Sequence, residues 1–171
     1  MASVPTSKAQ ELKGPKVGKS TLEPGSVLRV DLDHQWHVYA RILARTRIAF
    51  HDCRVSAPEK DFLKIVKTPV LFVLAVGGRA DKGHWPKVGH VPLEMASIPL
   101  PEQFMQDIVT GACRIVDQSF NDRPAKPEEC IELERAAVWD PVQVEDRIRD
   151  HYAGRPNAHL AYMKVRLSPG G

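Results

Sequence analysis

The chain has 171 residues, of which 43% are apolar and 26% charged, and a formal net charge of +3; this is the length of one domain with a substantial core and the composition of an ordinary globular protein. No stretch reaches the roughly 20 apolar residues of a bilayer-spanning helix, and the longest run, residues 69–76, has the length of a buried strand. Three cysteines, Cys53, Cys113 and Cys130, without a Cys-x-x-Cys spacing, suggest neither a disulfide framework nor a zinc knuckle.

Residues 1–22 read as a solvated tail carrying Lys8, Lys13, Lys16 and Lys19, and residues 23–171 as a single domain. Within the tail, Gly14-Pro15-Lys16-Val17-Gly18-Lys19-Ser20-Thr21 imitates a phosphate-binding loop. That loop needs four residues between its first Gly and the Gly-Lys pair, a strand before it and a helix after it. Here three residues separate Gly14 from Gly18, no apolar run precedes them, and Pro24-Gly25 stands where the helix should open. No nucleotide site is expected. The N-terminal residues also lack the apolar core of a secretory signal, which makes the cytoplasm the expected location.

From Glu23 onward the pattern has period two. Leu28, Val30 and Leu32 alternate with Arg29, Asp31 and Asp33, which predicts a strand with one wet face. Trp36, Val38, Ala40 and Ile42 repeat the pattern against His37, Tyr39 and Arg41, after a hairpin at residues 33–35. Ile48 and Phe50 point inward from a third strand, and the three form a meander. Residues 70–76 are apolar on both faces, which predicts a strand through the middle of the sheet. A long Gly- and Pro-rich excursion follows, pinned by Trp85, Val88 and Val91. Residues 106–117 read as two short strands turning at Thr110-Gly111, and residues 126–139 as a short acidic turn leading to a strand near Ala136. Asp140 is a good N-cap, Pro141 suits the first helical position and Gln143 completes a capping box, which predicts a helix over about 141–153 with Val144, Ile148, His151 and Tyr152 on one face. Gly154 and Pro156 end it. Alternation over residues 159–167 predicts a last strand. The expected fold is α+β and mainly antiparallel β, a twisted sheet or partly open barrel with one C-terminal helix packed against it.

Few residues carry chemistry in a recognisable pattern. His34 and His37, with His51, Asp52 and Cys53, bring metal-ligand types together, but side chains at odd spacing on a strand point to opposite faces and cannot converge on one ion. His84 and His90 flank Trp85 with Asp81 nearby, a general-base set without a matched nucleophile. Their simpler reading is a loop plugged onto the core by Trp85 with histidines on its rim. No Gly-x-Ser-x-Gly, His-Glu-x-x-His or Gly-rich dinucleotide loop occurs. No catalytic residue, cofactor or metal is assigned. Trp139, ahead of the Asp140 cap, is placed to staple the helix onto the core, and Arg135 to pair with an acid near Glu134 or with Asp146.

Residues 24–43 (Pro-Gly-Ser-Val-Leu opening), 68–76, the segment Gly83–Leu93 with its Trp-Pro-x-x-Gly-His string, residues 104–111, and residues 134–157 with Glu-Arg-Ala-Ala-Val-Trp-Asp-Pro together resemble the bacterial polymorphic-toxin immunity protein 26 family. The chain has Gly25-Ser26 where that family has Gly-Asp, and Gly77-Gly78-Arg79 where a His-Asp-Ser type of stretch is expected. The resemblance implies a mainly β protein, without turnover, that binds and neutralises a cognate toxin domain, often a nuclease; it implies no cofactor, no membrane contact and no direct contact with nucleic acid. An acidic surface suits the task of covering a basic cleft, and the C-terminal third is rich in acids. The expected contacts are Trp85, Glu134, Glu145, Asp146 and Asp150. Two other functions fit parts of the sequence: a small hydrolase built on Asp81, His84 and His90, or nucleic-acid binding through the Lys-rich tail.

Overall fold

The structure, a computed structural model, describes residues 22–44, 46–77 and 83–167. The phosphate-loop look-alike, most of the Lys-rich tail and Asp81 lie outside the described residues.

The predicted meander is present and longer than expected. Strands β1 (Ser26–Leu32), β2 (Trp36–Ile42), β3 (Arg47–His51) and β4 (Val70–Val76) pair antiparallel in succession. The β1–β2 turn places both Asp33 and His34 at positive φ, 53° and 57°, the left-handed region that Asp and His enter more readily than most residues. β5 (Lys87–His90) pairs with β1 within the segment read as an excursion, and β10 (Val138–Trp139) adds a short parallel pairing to β4. The sheet runs in the order β10-β4-β3-β2-β1-β5. β4 therefore lies one place from the edge, and β2 and β3 are central. The two-sided apolarity of β4 reflects cover above and below, which sequence cannot distinguish from centrality.

The face of β1 and β2 expected to be wet is wet only in part: Asp31 and Asp33 are exposed and Arg29 and His37 half-buried, whereas Val27, Tyr39 and Arg41 are covered. One face packs Leu28, Val30, Val38, Ala40, Ile48, Phe50, Leu74 and Val76 against Trp85, Trp139 and the helix α2 (Pro141–Tyr152). The other packs Val27 and Tyr39 against Ile65 and Val66 of a short helix, α1 (Phe62–Val66), and against Val91. Two buried polar side chains on this second face are satisfied internally: the Glu59 N–H donates to the Tyr39 hydroxyl at 2.6 Å, and the buried Arg41 donates to the carbonyl oxygens of Val91, Pro92 and Ala96.

A second sheet has the order β8-β7-β6-β9. β6 (Gln103–Gln106), β7 (Cys113–Val116) and β8 (Asp122–Ala125) are antiparallel, and β9 (Glu134–Arg135) joins β6 in parallel. The first of the two strands expected over 106–117 thus starts earlier, at Gln103. Its core holds Phe104, Ile115 and the free thiols Cys113 and Cys130; burial, then the neighbouring Cys113, pushes the Cys130 thiol up to about 11. The fold is α+β and β-rich, with both sheets mixed by their parallel pairs and neither closed into a barrel among the described residues.

The expected last strand is a helix. α3 (Ala158–Tyr162) is capped by Asn157, whose side chain accepts from the Leu160 N–H at 2.9 Å. Leu160 and Met163, three apart, both pack on the main core, a helical spacing that outweighs the period-two pattern.

Candidate functional site

The helix α2 organises the residues expected to contact a partner. The Asp140 side chain accepts from the Val142 N–H at 3.1 Å and Gln143 accepts from the Asp140 N–H at 3.0 Å, so the capping box forms as the sequence predicts. Val144 and Ile148 point into the core, whereas His151 is exposed and leaves the face assigned to it. This orientation turns Asp146 to solvent and leaves Glu145 and Asp150 on the half-buried flanks of the helix.

Trp85 is 2% exposed, with its ring edge-on to Phe50 at 5.5 Å, and its Nε1 donates to Glu145 Oε1 at 3.0 Å. His84 Nε2 lies 2.9 Å from the same oxygen, and Arg149 reaches the other at 3.6 Å. The Trp85 loop is therefore plugged into the core and tied to α2 through one carboxylate. Asp146, 60% exposed, pairs with Arg149 at 3.0 Å. Asp150 accepts from Asn157 and Arg155, which hold its carboxyl below the usual range. Glu134 stands apart and takes a two-pronged bond from Arg147, at 2.5 and 3.0 Å, while that guanidinium lies over the Phe72 and Trp139 rings. The four acids expected as contacts are thus matched by arginines on the same helix or just beyond it. Among the five, Trp85, Glu145 and Asp146 form one linked cluster.

The remaining candidates separate. His37 Nδ1 meets Asp31 at 2.6 Å, while His34 sits in the turn. His51 is buried, with Nδ1 3.4 Å from the Thr68 carbonyl oxygen and Nε2 without a partner, and burial lowers its pKa. No group of three or more His, Cys, Asp or Glu side chains able to hold a metal ion occurs among the described residues. His84 faces Glu145 and His90 faces the Pro24 carbonyl oxygen. Arg135 does not pair with an acid: it donates to the Met163 and Gln106 carbonyl oxygens and to Gln106 Oε1, over the Phe104 ring.

Two surface features escaped sequence reasoning. Arg54 is held between the Trp36 and Tyr152 rings, 4.6 and 4.5 Å from their centroids, beside a hollow of about 250 Å³. The three residues are far apart in sequence, so only folding joins them. The second is a groove of about 480 Å³ between the β6–β7 turn and the segment from Tyr162 to Leu167. The sequence hid it: Ile108 and Val109, two β-branched residues, read as the end of a strand turning at Thr110-Gly111, whereas β6 ends at Gln106 and both lie in the turn.

No curated protein and no solved structure matches the chain. The sequence pattern of the family described as Immunity protein 26 matches residues 23–112, more than half of the chain. The matched part runs from the approach to β1 through the β6–β7 turn; the Glu134–Pro141 string and α2 lie beyond it. On that match the chain belongs to the immunity protein 26 family.

Proposed function

We propose that this protein binds a cognate bacterial toxin domain in the cytoplasm and neutralises it by covering its active or substrate-binding surface, without turnover of its own. The observation that carries the reading is the family match over residues 23–112. A nuclease is the toxin class that fits an acidic contact on α2 led by Asp146, the most exposed of its three carboxylates, because a nucleic-acid-cleaving enzyme presents a basic cleft and opposite charge speeds encounter. In this reading Glu134, Glu145, Asp146 and Asp150 form the acidic side of the contact. Trp85 acts from beneath by fixing Glu145.

Co-expression with the toxin domain encoded by the adjacent reading frame tests the proposal. A stable complex and restored growth are expected; full toxicity and no complex would overturn it. Reversing charge at the exposed position, Asp146→Lys, together with Asp150→Lys, should slow association by about tenfold at low salt and flatten its salt dependence. An association rate indifferent to both changes would remove α2 from the contact.

A further inference from the structure

We infer that the groove between the β6–β7 turn and the segment 162–167 is a docking site for a segment of the partner protein that carries an aliphatic side chain next to a carboxylate. The inference rests on the toxin-binding reading above and names the surface and chemistry through which it would operate.

The first ground is the turn itself. Asp107–Ala112 joins two short strands, and its tip exposes Ile108 and Val109 at 87% and 88%. Exposed apolar residues are common singly; two adjacent β-branched ones at a turn serve neither turn chemistry nor the core. They are also held still. Asp107 Oδ1 accepts from the Val109 N–H at 2.9 Å, the Thr110 N–H at 2.6 Å and the Thr110 hydroxyl at 2.9 Å. The Gly111 N–H closes on the Asp107 carbonyl oxygen at 3.0 Å, and the Asp107 N–H on that of Ala112 at 2.9 Å. A tip fixed in this way loses little freedom on binding.

The second ground is the opposite wall. Tyr162 at 75% and Leu167 at 51% exposure face the same groove, with Met163 reaching back into the core. Aromatic and aliphatic side chains around a preformed hollow are the make-up of an interface centre.

The third ground is charge. Arg135, half-buried, also lines the groove, and its three acceptors are carbonyl oxygens of Met163 and Gln106 and the Gln106 side-chain oxygen, none of them charged. Arg166 is exposed, and no carboxylate lies within ion-pair distance of it among the described residues. The single carboxylate in the lining, Asp107, is engaged in holding the turn. Two cations set among apolar walls favour an occupant that offers both hydrocarbon and negative charge. A second copy of this chain would bring the same two arginines against each other, and a nucleic acid would leave the aliphatic tip without a partner.

The test measures affinity of the full chain for the toxin domain encoded next to it, by calorimetry, for the unchanged protein, for Ile108→Asp with Val109→Asp, for Arg166→Glu, and for Met95→Ser as an exposed apolar position elsewhere. The turn variants leave the core untouched, and near-ultraviolet circular dichroism verifies their fold. The expected result is a weakening of about 30-fold or more for the tip pair and for Arg166→Glu, with Met95→Ser unchanged. If the unchanged protein does not bind the toxin, the functional reading fails. If it binds and the tip variants bind equally well, the groove is not the contact, although the functional reading stands. Sedimentation showing a dimer of the unchanged protein that the tip pair dissociates, or binding to a short oligonucleotide that Arg166→Glu abolishes, would likewise overturn the inference.

Discussion

His51 shows how a single side chain ties function-like chemistry to structure. The sequence offers it as a metal-ligand type beside Asp52 and Cys53, yet it ends β3 at 0% exposure against the Thr68 carbonyl oxygen. Burial, and then the nearby Arg41 cation, lower its pKa. A histidine whose folded pKa lies below its unfolded value contributes stability above the unfolded pKa, about 6.5, and that contribution is lost as pH falls. Unfolding free energy should therefore drop between pH 7 and pH 5, and more gently in His51→Phe. Urea titrations with equal slopes in the two proteins would refute the assignment. Arg41 makes a related point: alternation placed it on a solvated face, whereas four bonds to backbone carbonyl oxygens keep it buried.

At the scale of elements, local signals succeeded where the chain itself supplied the partners. The cap of α2 is legible because donor and acceptor lie within three residues, and Asp140→Ala should cost about 1 kcal/mol in thermal unfolding. A loss near zero would mean that water replaces the cap. Gly154, at φ 64°, ends the helix as its sequence position suggests. Elements failed where long-range pairing decided them. β5 forms because β1 offers an edge, and β8, with Pro124 at the outside of its sheet, lies in a stretch to which the sequence pattern assigns no element. Gly89 belongs to the same class: a Cβ there would overlap the Phe62 ring, so β5 and α1 meet through a glycine whose role no local pattern reveals.

Over the whole molecule, the segment from Glu134 to Trp139 joins the two sheets. β9 pairs in one, β10 in the other, and the Ala136 N–H donates to the Phe104 carbonyl oxygen at 2.7 Å between them. Arg47 adds a bond to Gln103 at 2.6 Å. Arg147 clamps this junction by holding Glu134 while stacking on Phe72 and Trp139. Arg147→Ala should destabilise the protein by about 2 kcal/mol, mainly because it opens the packing over Phe72 and Trp139, with a smaller loss from the half-exposed Glu134 pair. Arg147→Lys should recover less than half, since an ammonium cannot make the forked bond. A full recovery by Lys would show that charge alone matters.

Taken alone, the sequence determined the β-rich class, the first strands of the meander and the capped helix, all of which depend on residues within a few positions of one another. The family followed from short strings, and the matched region from residue 23 to 112 includes several of them. Tertiary structure alone decided that both faces of the main sheet carry a core, that Glu134, Glu145, Asp146 and Asp150 meet arginines, and that Ile108 and Val109 stand beside Tyr162 and Arg166. The reason is that burial and charge balance are sums over neighbours in space, and periodicity along the chain records only which way a side chain leaves its own backbone.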